Sequence, residues 1–146
     1  MSANLLQPEK IHIITFKITK GQINSPFEFD TVNVEGHNYK LDLDLSFNLG
    51  EQLIRADFTV TVETKSTEQV AEEAAGIFSF TFVYKIENIE ELTSLENGET
   101  IIMHPALANA IASITYSTSR GILLTRFQGT ALSNFILPVI NPNDLL

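Results

Sequence analysis

Between positions 41 and 49 the chain alternates without a fault. Leu41, Leu43, Leu45, Phe47 and Leu49 fall on one side, Asp42, Asp44, Ser46 and Asn48 on the other. Successive side chains of a strand point to opposite faces, so a two-residue repeat of this length buries one face only as extended chain. Gly50-Glu51-Gln52 interrupts the run, after which Ile54, Ala56, Phe58, Val60 and Val62 resume it against Arg55, Asp57, Thr59, Thr61 and Glu63. Two in-phase runs joined by a short turn predict an antiparallel hairpin with one apolar and one wet face. The wet face is acidic, through Asp42, Asp44, Asp57 and Glu63.

Two further runs belong with this hairpin. Over 11–19, His12, Ile14, Phe16 and Ile18 are expected on one face, and Ile11, Ile13, Thr15, Lys17 and Thr19 on the other. Over 78–86, Phe78, Phe80, Phe82, Tyr84 and Ile86 alternate with Ser79, Thr81, Val83 and Lys85. An exposed edge on this fourth strand would favour pairing with a second subunit. A crossing segment with Phe27, Phe29, Val32 and Val34 links the first two strands and reaches a turn at Glu35-Gly36-His37-Asn38. Over 65–75 the spacing of Ser66-Thr67-Glu68-Gln69 is that of a capping box, and a polar connection is the alternative. The stretch 90–99 is acidic and turn-rich.

From Pro105 to Phe127 no further proline intervenes, and Leu107, Ile111, Ile114, Leu123 and Phe127 can share a helical stripe. Gly121 invites a break into two pieces, Gly129 can cap the end, and Pro138 and Pro142 hold the exit segment extended. The expected architecture is α+β: a four-stranded antiparallel sheet with a long C-terminal helix packed on one face, in one domain over 1–146.

Composition narrows the function. At 44% hydrophobic and 18% charged, 146 residues suffice for a core. Acids outnumber bases 18 to 9, for a net charge of −9, which argues against nucleic acid or an anionic membrane as partner. With no cysteine there is no disulfide, thiolate metal site or cysteine nucleophile. No signal peptide and no apolar run of about 20 residues is present, so a cytoplasmic protein without membrane insertion is expected. His12, His37 and His104 are placed on a strand, a turn and a helix start, with no metal-ligand spacing. No nucleophile elbow or phosphate-binding glycine loop is present. No catalytic residue, metal or cofactor is therefore assigned, and an enzyme is not expected. The many aromatic residues exceed what one helix can cover, which points to a subunit contact or an apolar ligand.

Several stretches resemble the SecB family of export chaperones, tetramers that hold unfolded preproteins. Gly129-Thr130-Ala131-Leu132-Ser133-Asn134-Phe135-Ile136-Leu137-Pro138-Val139-Ile140-Asn141-Pro142 is similar to the family's Gly-Thr, apolar linker, Pro-Val-Asn segment between its two helices. Ser119-Arg120-Gly121 with Arg126 resembles the arginine-containing long helix, and Lys40-Leu41-Asp42-Leu43-Asp44-Leu45 the start of the second strand. Ala75-Gly76-Ile77-Phe78-Ser79-Phe80 resembles a Gly-Ile-Phe-Ser motif that in the family follows the fourth strand. The preferred alignment instead lays Phe82-Val83-Tyr84-Lys85-Ile86 on that strand, with Ile89 and Leu92 in place of the motif.

The resemblance implies a dimer of dimers and an ATP-independent holdase that binds unfolded or partly folded polypeptides in apolar grooves, with export as one setting. By position, the implied client-binding residues are Phe27, Phe29, Val32, Val34, Leu41, Leu43, Phe82, Tyr84 and Ile86. Against the family pattern, docking to the SecA motor is in doubt for this chain. The chain stops at Leu146, short of the family's tail, and Lys20, Gly21, Val83 and Lys85 stand where the other contact is acidic. A dedicated chaperone of an antitoxin or another single client is the alternative within the class. A small hydrophobic ligand-binding module and a structural oligomer are alternatives of other classes.

Overall fold

A computed structural model of the chain describes residues 6–68 and 72–146. Four long strands form one sheet: β1 (Ile11–Asn24), β2 (Val34–Asn48), β3 (Leu53–Ser66) and β4 (Ala75–Ile86), in the spatial order β1-β4-β3-β2 with every pair antiparallel. A one-turn helix, α1 (Ile89–Leu92), leads into a separate two-stranded hairpin, β5 (Thr93–Glu96) and β6 (Thr100–Met103). The long helix α2 (Pro105–Arg126) follows, then an extended segment and a short 3-10 turn at Pro142–Leu145. Among the described residues, no helix is long and apolar enough to cross a membrane.

The hairpin of β2 and β3 forms in the expected register, with Leu41 opposite Val60, Leu43 opposite Phe58 and Leu45 opposite Ala56. Gln52 takes a left-handed conformation (φ 63°) at the turn and donates its N–H to Leu49. All the even-numbered residues from Ile54 to Thr64 are buried and face α2, and Phe78, Phe80, Phe82, Tyr84 and Ile86 continue that face across β4. Phe58 meets Tyr116 of α2 edge-on at 5.9 Å, and Phe78 meets Phe127 at 5.7 Å. A short polar link lies within this layer: the Tyr84 and Thr115 hydroxyls are 2.7 Å apart, both residues fully buried.

Several expectations are corrected. In β1 the register shifts between Ile13 and Thr15 and again between Ile18 and Lys20, so Ile11 and Ile13 share the inner face with Phe16 and Ile18. A bulge inserts one extra residue and flips the phase, which uniform alternation misses. His12 and Lys85 pair on the outer side, and Ile14 is half exposed in the bulge. β4 lies between β1 and β3, so the sheet's free edges are β1 and β2. His37 is in β2 opposite Thr64, not in a turn, while His104 does cap α2, its Nδ1 accepting the Ala106 N–H at 3.0 Å.

Helix α2 runs through Gly121 unbroken. Its buried line is Leu107, Ile111, Thr115, Ser119 and Leu123, flanked by Ala112 and Tyr116, with Ile114 only half-buried. Gly129 closes the end at φ 75°. Residues 69–71, the end of the expected capping box and the start of the turns it would open, lie outside the described residues; Ser66 ends β3, and the chain bends at Thr67 and Glu68.

Candidate client-binding surface

Two irregular segments meet on the helix side of the sheet. The crossing segment after β1 turns at Pro26, whose carbonyl accepts the Phe29 N–H, and then at Asp30, whose Oδ1 accepts the Val32 N–H at 3.0 Å. Phe29 points inward onto the core, leaving Phe27 fully exposed and Val32 80% exposed. The Thr67 N–H bonds the Asn33 carbonyl, tying the segment to the end of β3. The second segment is the strap over 131–140, and its Ala131 N–H reaches Ser25 Oγ at 3.3 Å.

Leu132, Phe135 and Leu137 of the strap are buried, while Ile136 and Val139 project outward at 55% and 87% exposure. Two side chains of α2 hold its backbone: Tyr116 Oη donates to the Pro138 carbonyl and Arg120 Nε to the Leu137 carbonyl, each at 2.6 Å. The Phe135 ring lies 5.1 Å from His37, 5.5 Å from Tyr39 and 6.2 Å from Phe127. Exposed apolar side chains from the crossing segment, β2 and the strap (Phe27, Val32, Tyr39, Ile136, Val139) therefore lie on the elements that surround this junction. Isolated apolar residues on a surface are ordinary; here they recur on three segments linked to one another.

The residues expected at a client groove divide into two groups. Phe27 and Val32 are open to solvent, and Phe29, Val34, Leu41 and Leu43 are half-buried. Phe82, Tyr84 and Ile86 are fully buried beneath α2 and belong to the core of this chain. Tyr39, Ile136 and Val139, which are also exposed here, were not among the residues expected at a groove. For Ile136 and Val139 the signal was present, since Pro138 separates apolar residues that no strand or helix could bury together.

A second apolar area lies at the sheet edge. Ile13, Ile14 and Phe16 of β1 are each more than a third exposed, and a recess of about 450 Å³ opens between Phe16 and Ile18 and the α2 residues Gly121, Ile122 and Thr125.

On the outer face of the sheet, Asp42 stands opposite Thr59, Asp44 opposite Asp57, and Glu63 opposite Asn38. The expected acidic residues thus share one face. Asp57 is held by Arg55 Nε at 2.9 Å and by the Thr81 hydroxyl at 2.6 Å. Lys40 opposite Thr61, Arg55 opposite Ser46, and Lys17 and Lys20 of β1 opposite Thr81 and Ser79 stand on that same face, so its charge is mixed over β2 and β3 and basic along β1. No group of three or more His, Asp or Glu side chains able to hold a metal occurs among the described residues.

These elements build the SecB-like fold, a four-stranded antiparallel sheet covered by one long helix and its extended exit segment. The chain is similar over 90% of its length to 91% of the Mycobacterium tuberculosis SecB-like chaperone Rv1957, solved in complex with a ChAD peptide from the Rv1956 HigA1 antitoxin, with a TM-score of 0.58 at 12% identity. No family model matches the chain, and no curated protein matches it in sequence.

Proposed function

We propose that the protein is an ATP-independent holdase that binds unfolded or partly folded polypeptides across the surface formed by the crossing segment, the edge of β2 and the strap. The observation that carries this reading is the exposure of Phe27, Val32, Ile136 and Val139 on segments joined at Ser25 and Ala131, in a fold shared with a chaperone solved on a peptide. Apolar contact has no directional requirement, so such a surface accepts many sequences. The half-buried Phe29, Val34, Leu41 and Leu43 form its floor, whereas Phe82, Tyr84 and Ile86 belong to the core beneath α2.

A dedicated client, such as an antitoxin, is the second reading, favoured by the antitoxin peptide bound to the similar chaperone. Both readings place the chain in the cytoplasm as a dimer of dimers, with β1 and the recess beside it as the contact between copies and the outer-face carboxylates turned to a basic partner. Replacing Phe27 and Val32 together by serine tests the surface. Both side chains are exposed, so the fold is expected to survive, while affinity for an unfolded chain falls by about tenfold or more. Unchanged affinity in the folded double variant would remove the crossing segment from the site.

A further inference from the structure

The strap has the chemical character of a bound polypeptide. From Ala131 to Ile140 it carries no charged residue and has no regular secondary structure. It is retained by three buried apolar side chains and by two backbone carbonyls that accept from Tyr116 and Arg120. At its centre Phe135 rests on the imidazole of His37, whose Nε2 is buried without a hydrogen-bond partner. A neutral imidazole tolerates that position. A protonated one would carry a charge and an N–H donor into an apolar contact that offers no acceptor.

We propose that the strap is a releasable cover and that protonation of His37 loosens it, uncovering Leu132, Phe135 and Leu137 beside the crossing segment. The surroundings of His37 leave little to compensate a charge. Along β2 its inner-face neighbour is Tyr39, and Glu35 pairs with Lys65 at 4.0 Å where both are well exposed. Across the ladder on β3 stands Thr64, whose hydroxyl donates to Glu73; that carboxylate also accepts from the Ser66 hydroxyl and N–H, while Glu63 belongs to the outer face. The strap contributes Phe135 and no ionisable group, and from α2 the nearby polar groups are Tyr116 and Arg120, both bonded to strap carbonyls.

Burial holds the His37 pKa below the ordinary imidazole value of 6.5. With the strap docked, His37 thus binds the proton less well than with the strap released. Docking is complete above about pH 6.5 and weakens as pH falls below it, through the depressed value.

The inference does not depend on any client, and its test uses none. The chain has no tryptophan, so Ile136→Trp places a single reporter on an exposed strap position. Its emission anisotropy is expected to fall as the pH drops below about 6.5, with the far-ultraviolet circular dichroism of α2 and the sheet unchanged. His37→Phe in the same background keeps a ring against Phe135 and cannot titrate; its anisotropy is expected to stay high throughout. His37→Gln, also neutral, serves if the phenylalanine variant does not fold. A flat profile in the His37 protein would overturn the proposal, as would the same fall in the variant, which would assign it to another group.

Discussion

At the residue scale, the fold depends on side chains whose polar ends are satisfied in few ways. Tyr84 is fully buried, with its hydroxyl committed to Thr115. Tyr84→Phe leaves the Thr115 hydroxyl without that partner and is expected to lower the free energy of unfolding by about 1–2 kcal/mol in a denaturant titration. Burial pushes the Tyr84 pKa from 10.0 up to about 12, with the Thr115 bond acting in the opposite sense. The folded state therefore holds this proton more tightly than the unfolded state. The stabilisation is complete below pH 10 and is lost as pH rises from 10 towards 12, a loss that Tyr84→Phe should reduce. Gly76 has a different role. A Cβ there would stand 2.7 Å from Leu132 Cδ1, so the bare backbone makes room for the strap's buried leucine. Gly76→Ala is expected to cost about 1–3 kcal/mol, measured by thermal unfolding, because Leu132 has no solvent-exposed side into which to move.

At the element scale, α2 shows where tertiary packing overrides local preference. Tyr116, Ser117, Thr118, Ser119 and Gly121 are weak helix formers, yet the helix is continuous because Thr115, Tyr116, Ser119 and Leu123 are buried along it. A Cβ on Gly121 would meet nothing within 4 Å. Gly121→Ala is expected to stabilise the isolated chain by about 0.5–1 kcal/mol, seen as a higher melting temperature. A lower value would mean that another copy packs against this position.

The β2–β3 hairpin was legible because both runs alternate without interruption and a short turn joins them. β1 was legible only as a strand: its bulges lie among isoleucines whose identity does not reveal which way they face. The hairpin of β5 and β6 was hidden by its acidic composition, although Asn97 and Gly98, both at positive φ, are the residues that a tight hairpin turn requires. At the candidate site, Phe27 and Val32 were legible as apolar residues in a segment too irregular to bury them. Phe82, Tyr84 and Ile86 were named for a groove by position in the family resemblance, and in this chain they lie fully buried beneath α2.

At the scale of the whole molecule, no strand among the described residues pairs with the outer edge of β1 or β2, and the β1 edge joins exposed Ile13, Ile14 and Phe16 to the recess on α2. Free edges of this length are usually covered or paired. The proposed assembly predicts a solution mass that is a multiple of 16.2 kDa by light scattering, reduced towards a single chain by Phe16→Lys. A monomeric native protein would contradict it. The central claim is that the exposed apolar surface recognises unfolded polypeptide. The most direct test is a fluorescence titration of the purified protein against one labelled chain presented in its unfolded and its folded forms. The account predicts saturable, salt-tolerant binding to the unfolded form alone; binding to neither form, or equally to both, would contradict it.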